Sequence, residues 1–127
     1  MPASILIADR SSAMRAVIQR AIRIANLPVS NCYPAAHGTD VLRLLHSHPI
    51  DFLLLDIDLA DMPGEELIQA VPERSAIPFM VTSPNASSAR IERLLELGAC
   101  DYLVKPFSAP ALCARLEQAF RALHASN

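Results

Sequence analysis

The sequence has little that would mark a secreted, membrane-bound or nucleic-acid-binding chain. Its three cysteines, Cys32, Cys100 and Cys113, are odd in number and widely spaced, which argues against a disulfide framework. No apolar run approaches the roughly 18 residues needed to span a bilayer. The opening MPASILIADR lacks the basic-then-apolar layout of a signal peptide. The net charge is only −2, which predicts neither a nucleic-acid patch nor a membrane surface. There is no low-complexity tract, and 52% hydrophobic residues against 19% charged exclude disorder. The expectation is a reduced, soluble, cytoplasmic chain whose 127 residues form one domain, 1–127, with a single substantial core.

What is present is an alternation of two periodicities. Short apolar runs, SILIAD (4–9), VSNCY (29–33), DFLLLD (51–56), PFMVTS (78–83) and DYLVKP (101–106), read as strands. DFLLLD is apolar without a break, the mark of a strand buried on both faces in a parallel sheet. Between the runs lie helical patterns. Met14, Val17, Ile18, Ala21, Ile22 and Ala25 fall at helical spacing, with Ser11 or Ser12 as N-cap and Pro28 as the stop. GTDVLRLLHSH (38–48) turns Val41, Leu42, Leu44 and Leu45 inward, and PGEELIQAV starts on a proline suited to a first turn. SSARIERLLELG (87–98) closes on Gly98, and a last helix over about 109–124 buries Leu112, Leu116, Ala119, Phe120 and Leu123. Five strands alternating with five helices predict a doubly wound parallel α/β sheet covered by helices on both faces.

Ligands in such sheets bind beyond the carboxyl ends of the strands. Asp9, Asp56, Thr82 with Ser83, and Lys105 all stand at those ends, so they should converge on one rim. A buried strand that finishes in a carboxylate is an expensive arrangement, and Asp56 follows four apolar residues. A carboxylate, a hydroxyl and an ammonium together suit phosphoryl transfer to an aspartyl oxygen. The carboxylate attacks phosphorus, while cations neutralise charge on the equatorial oxygens.

These residues resemble a known family. ILIADRSSAMR, AAHGTDVLRLL, DFLLLDIDLADMPGEEL, PFMVTS and GACDYLVKPF, in this order and spacing, are similar to the response-regulator receiver domain, the CheY-like family. The resemblance covers essentially the whole chain and implies a five-stranded sheet of order 2-1-3-4-5. It implies that Asp56 is the phosphoacceptor, Thr82 the switch hydroxyl, Tyr102 the aromatic that reorients with it, and Lys105 the phosphate-contacting lysine. A cis Lys105–Pro106 bond would present that lysine. Mg²⁺ would be held by Asp9, Asp56 and the main-chain carbonyl of Asp58. The donor would be a sensor histidine kinase or a phosphotransfer protein. A downstream protein would meet the face made by 88–98, 101–106 and 109–125, where Arg90, Arg93 and Tyr102 are expected to be exposed. The domain itself is expected to touch neither nucleic acid nor membrane, and the chain to be a stand-alone regulator or a piece of a larger one.

Two departures stand out. The family carries two adjacent acids after the first strand, and here the second position is Arg10, which weakens every metal contact. Ala60 stands where proline is usual, and Pro63 directly precedes Gly64. Arg10 is expected to act as a tethered cation between Asp9 and Asp56; the alternative is that it swings into solvent and Asp58 compensates. The same fold used without phosphorylation, a pseudo-receiver, is therefore a rival reading. A haloacid-dehalogenase-type phosphatase is another, since LLLDIDL resembles its Asp-x-Asp strand end, but that family needs a further acidic pair on a later strand. The bland readings are a solvated set of histidines, His37, His46, His48 and His124, packed free cysteines, and a wet face of Arg15, Arg20 and Arg23.

Overall fold

A computed structural model describes residues 2–72, 76–84 and 88–125. The elements are β1 (Ala3–Ala8), α1 (Ser12–Ile24), β2 (Val29–Ala35), α2 (Gly38–Ser47), β3 (Phe52–Asp56), α3 (Gly64–Ala70), β4 (Phe79–Ser83), α4 (Ser88–Glu96), β5 (Asp101–Val104) and α5 (Ala109–Ala125). The strands pair in parallel in the order β2-β1-β3-β4-β5. The predicted start of the fourth helix at Ser87 lies outside the described residues.

The unbroken apolar runs become strands because both faces of the sheet are covered. Side chains alternate across a strand, so Ile5, Ile7, Phe52, Leu54 and Met80 pack with Ile18, Ile22, Leu112, Leu116 and Phe120 from α1 and α5. Their neighbours Leu6, Leu53, Leu55 and Val81 pack on the opposite face with Val41, Leu44, Leu67 and Leu94 from α2, α3 and α4. Phe52 and Phe120 meet edge to face at 5.8 Å between ring centroids.

Local chemistry sets the ends. Ser11 caps α1, its Oγ accepting from the Met14 N–H at 3.1 Å. The helix finishes before Pro28, with Asn26 at φ 54° as the turning residue. Gly98, at φ 113°, closes α4: its N–H donates to the Leu95 carbonyl and the Ala99 N–H to that of Leu94, a paired closure that needs a left-handed residue.

Several sequence expectations are corrected. Val17 is 51% exposed rather than inward, because its position falls on the solvent side of α1. β2 runs on to Ala35, while β5 ends at Val104, so Lys105 stands just past its strand. His48 is half-buried rather than free in solvent: its ring lies 4.7 Å from that of Tyr33, beside the Ser47 hydroxyl. Cys100 is exposed rather than packed, whereas Cys113 donates to the Ala21 carbonyl. Burial pushes the Cys32 and Cys113 thiols up, which makes them poor nucleophiles. Arg15 is not simply wet, since it donates to the Asp9 carbonyl at 2.6 Å.

Candidate functional site

One face of the sheet supplies the site through simple parity. Ile7, Leu54, Met80 and Leu103 all point into the layer beneath α1 and α5. Two residues further along each chain, on the same face, come Asp9, Asp56, Thr82 and Lys105. The apolar layer thus continues into a polar rim at the carboxyl ends of the strands, where such sheets bind ligands.

Asp9, Asp56 and Lys105 meet through their side chains, and Thr82 is paired beside Asp56 in the sheet. Lys105 Nζ donates to Asp9 Oδ2 at 2.7 Å and to Asp56 Oδ2 at 3.0 Å. Asp9 is 1% exposed and Asp56 4%, so each carboxylate has left water for an ammonium and a main-chain donor. The main-chain donors are the Ser11 N–H on Asp9 Oδ1 at 2.8 Å and the Asp58 N–H on Asp56 Oδ1 at 3.0 Å. Thr82 is buried directly opposite Asp56 in the β3–β4 ladder, and its carbonyl accepts from the Ile57 N–H. The Lys105 N–H donates to the Ser83 carbonyl, and the Lys105–Pro106 bond is cis, as the resemblance implied. Burial works against the Lys105 ammonium, but its hydrogen bonds to Asp9 and Asp56 outweigh that and raise its pKa.

Arg10 does not form the expected tethered bridge. It is exposed, and among the described residues no ion pair joins it to Asp9 or Asp56. Lys105 takes that place, because it reaches both carboxylates from β5. Arg10 still borders the cleft, a space of about 220 Å³ lined also by Asp9, Ser11, Asp56, Asp58 and Lys105. A larger groove of about 410 Å³ lies between the end of α1 and β2. It gathers Arg23, Asn26 and Asn31 but no carboxylate, so the smaller cleft is the chemical site.

The loop after Asp56 is tied down by partners the sequence did not reveal. Asp61 accepts from the Gly38 and Thr39 N–H groups at 2.6 and 3.2 Å, capping α2 where His37 makes no side-chain cap. Those donors hold its carboxyl below the usual range, the Gly38 bond contributing most. Arg90 of α4, expected in solvent, turns inward instead. It pairs with both Glu65 oxygens at 2.7 and 2.8 Å, with Asp58 Oδ1 at 3.0 Å and with the Ile57 carbonyl at 2.9 Å. The Arg90 hydrogen bonds lower the Glu65 pKa, and Glu65 in turn raises that of Arg90. Partners 25 and 32 residues away leave no local sequence signal. Tyr102 is 39% exposed on the edge strand β5.

Whether these residues fit a small divalent cation follows from their donors. Mg²⁺ prefers hard oxygens and retains waters, which suits Asp9, Asp56 and a main-chain carbonyl. Four carboxylates (Asp9, Asp56, Asp58, Glu65) face four cations (Arg10, Arg15, Arg90, Lys105) around the rim, so the local charge is already balanced. The residues fit in donor type. Among the described residues, however, no three acidic, histidine or cysteine side chains converge on one point.

The family model of the response regulator receiver domain matches residues 5–117, and the chain belongs to that family. It is 35% identical over 119 residues to the chemotaxis protein CheY of Pseudomonas aeruginosa, covering 91% of this chain and 94% of that protein. It is 36% identical over 106 residues to the transcriptional regulatory protein KdpE of Mycobacterium tuberculosis, covering 82% of this chain and 46% of the relative. The chain thus spans about half of KdpE and nearly all of CheY. Among solved structures, the CheY-like receiver domain of Methanospirillum hungatei superposes with a TM-score of 0.85 at 22% identity, over the whole of both chains. The receiver domain of a Luxo repressor protein from Vibrio parahaemolyticus gives 0.89 at 17% identity, over 99% and 95%. These two establish the fold alone. The chain is a receiver domain of the two-component response regulators, a signalling family whose members work with histidine kinases or phosphotransfer proteins. No helix among the described residues is long and apolar enough to cross a membrane.

Proposed function

We propose that Asp56 accepts a phosphoryl group and that the domain, 1–127, passes this state to a protein partner. The observation that carries the reading is the Lys105 ammonium shared between Asp9 and Asp56 beside Thr82. An Asp56 carboxylate oxygen attacks the phosphorus of a phosphohistidine or small acyl phosphate; the P–O bond to Asp56 forms as the bond to the donor breaks. Lys105 follows one phosphoryl oxygen as a compact positive charge, and the Thr82 hydroxyl donates to another. Asp9, Asp56 and the Asp58 carbonyl would hold Mg²⁺, which supplies further neutralisation of the equatorial oxygens. Thr82, drawn to the phosphoryl group, leaves room for Tyr102 to move inward from its exposed position. Before that move Leu95 and Tyr102, both 39% exposed, offer apolar contact on the α4–β5–α5 face, which the inward turn of Tyr102 alters; Arg90 is excluded from it by its inward pairing.

The test is incubation with acetyl phosphate and Mg²⁺, read by intact mass. The expected result is a single retained phosphoryl group in the wild type and none in Asp56→Asn. Turnover of many equivalents would support a phosphatase instead, although Asp56 lies on the central strand and no described strand follows β5. One observation favours a second reading: Arg10, a cation, borders the cleft where the family carries an acid. Absence of label in both wild type and Arg10→Asp would establish a phosphorylation-independent interaction module.

A further inference from the structure

Four of the five Arg90 guanidinium N–H groups are engaged, and two of them grip the residues that directly follow Asp56. Its Nε and Nη2 hold Glu65 in a fork at 2.7 and 2.8 Å; Nη2 also reaches the Ile57 carbonyl at 2.9 Å, and Nη1 the Asp58 carboxylate at 3.0 Å. This ties the first turns of α4 to α3 and to the β3–α3 loop. Asp58 is the shared member. Its N–H holds Asp56 Oδ1, its side chain borders the cleft with Asp9, Asp56 and Arg10, and its carboxylate points to Arg90. It is therefore the acid placed to replace the one that position 10 lacks, yet its carboxylate is paired with Arg90 and, among the described residues, does not group with Asp9 and Asp56.

We propose that Arg90 is a positioning latch: by sequestering Asp58 it sets how tightly the Asp56 site binds a divalent cation. By reciprocity, a cation that recruits Asp58 weakens the hold on α4, because coupling between two sites acts equally in both directions. The inference rests on reading the cleft as a cation site and adds what regulates it. It also gives the occupied site a path to α4 that does not pass through Thr82 and Tyr102. Glu65 takes Nε and Nη2 while Asp58 takes Nη1, so the two acids share no donor and loss of the Glu65 charge leaves the Arg90–Asp58 pair in place.

The experiment is isothermal titration calorimetry with Mg²⁺ on the wild type, Arg90→Gln, Glu65→Gln and Arg90→Gln/Asp58→Asn. Arg90→Gln should bind Mg²⁺ at least about 5-fold more tightly, the lower end of typical coupling between sites. Glu65→Gln should bind no more tightly than wild type, and the double variant should lose the gain. Amide hydrogen exchange over 89–96 should quicken with saturating Mg²⁺ in the wild type and be insensitive to Mg²⁺ in Arg90→Gln. Equal measurable affinity in wild type and Arg90→Gln overturns the latch and leaves the cation site standing. No binding by any of the four proteins overturns both. A similar rise in Arg90→Gln and Glu65→Gln also overturns it, since both break the α3–α4 tie and would then act through general loosening.

Discussion

Asp51 and Asp56 bracket the same four apolar residues of β3, yet they live in opposite worlds. Asp51, before the strand, is exposed; its Oδ2 accepts from the Ser4 N–H at 2.8 Å while its own N–H donates to the Ser4 carbonyl. It closes the ladder at an end where water is available and no cation is required. Asp56 is buried, and its charge is tolerable only because Lys105 and the Asp58 N–H replace the lost water. The lesson is that position relative to the strand end, rather than residue type, separates a structural carboxylate from a chemical one.

The sharpest way to break this comparison is to remove the ammonium. Lys105→Ala leaves Asp9 and Asp56 buried side by side without their shared cation, and should destabilise by about 3 kcal/mol, the range for an orphaned buried charge. Urea unfolding at neutral pH with chelator present checks it; a loss below that of Asp51→Ala would invert the comparison. The same contact predicts an alkaline limb. Because the folded Lys105 pKa lies above the ordinary 10.5, its contribution is complete below that value and disappears as pH rises beyond it. Wild-type stability measured from pH 9 upward should therefore fall more steeply than that of Lys105→Ala.

A middle-sized effect belongs to the loop after Asp56. Glu65→Gln keeps the shape but removes the charge facing Arg90, and should cost about 1–2 kcal/mol for a partly buried forked pair. With the Glu65 pKa lowered by Arg90, its contribution is present above the ordinary 4.5 and is lost as pH falls through the lower folded value. Acid unfolding should show a shallower pH dependence in Glu65→Gln below that point. The smallest effect is expected at the other end of β3. Asp51→Ala removes one hydrogen bond at an exposed site and should cost about 0.5–1 kcal/mol. A cost equal to that of Lys105→Ala would show that burial does not distinguish the two aspartates.

The alternation of apolar runs with helical patterns was enough, by itself, to define a parallel α/β sheet, because only burial on both faces tolerates a strand such as FLLL. Strand-end position likewise marked Asp9, Asp56, Thr82 and Lys105, since the two-residue period carries each from a core position to the rim. Those signals are local in sequence. The partners that hold the site are not: Arg90 reaches Glu65 and Asp58 from a helix on the same face of the sheet but far away in the chain, and Asp61 finds the start of α2 from another loop. Neither pairing follows from a periodicity, and Arg90 sits on a helix whose polar face reads as solvent. The expectation that Arg10 bridges Asp9 and Asp56 failed for the same reason. Adjacency in sequence suggested a contact, whereas strand direction sent Arg10 outward and brought Lys105 from the distant edge strand onto both carboxylates. Composition and period determine which residues are buried; only the assembled sheet decides which charges meet, because ion pairing depends on distances of a few ångströms between segments far apart in the chain.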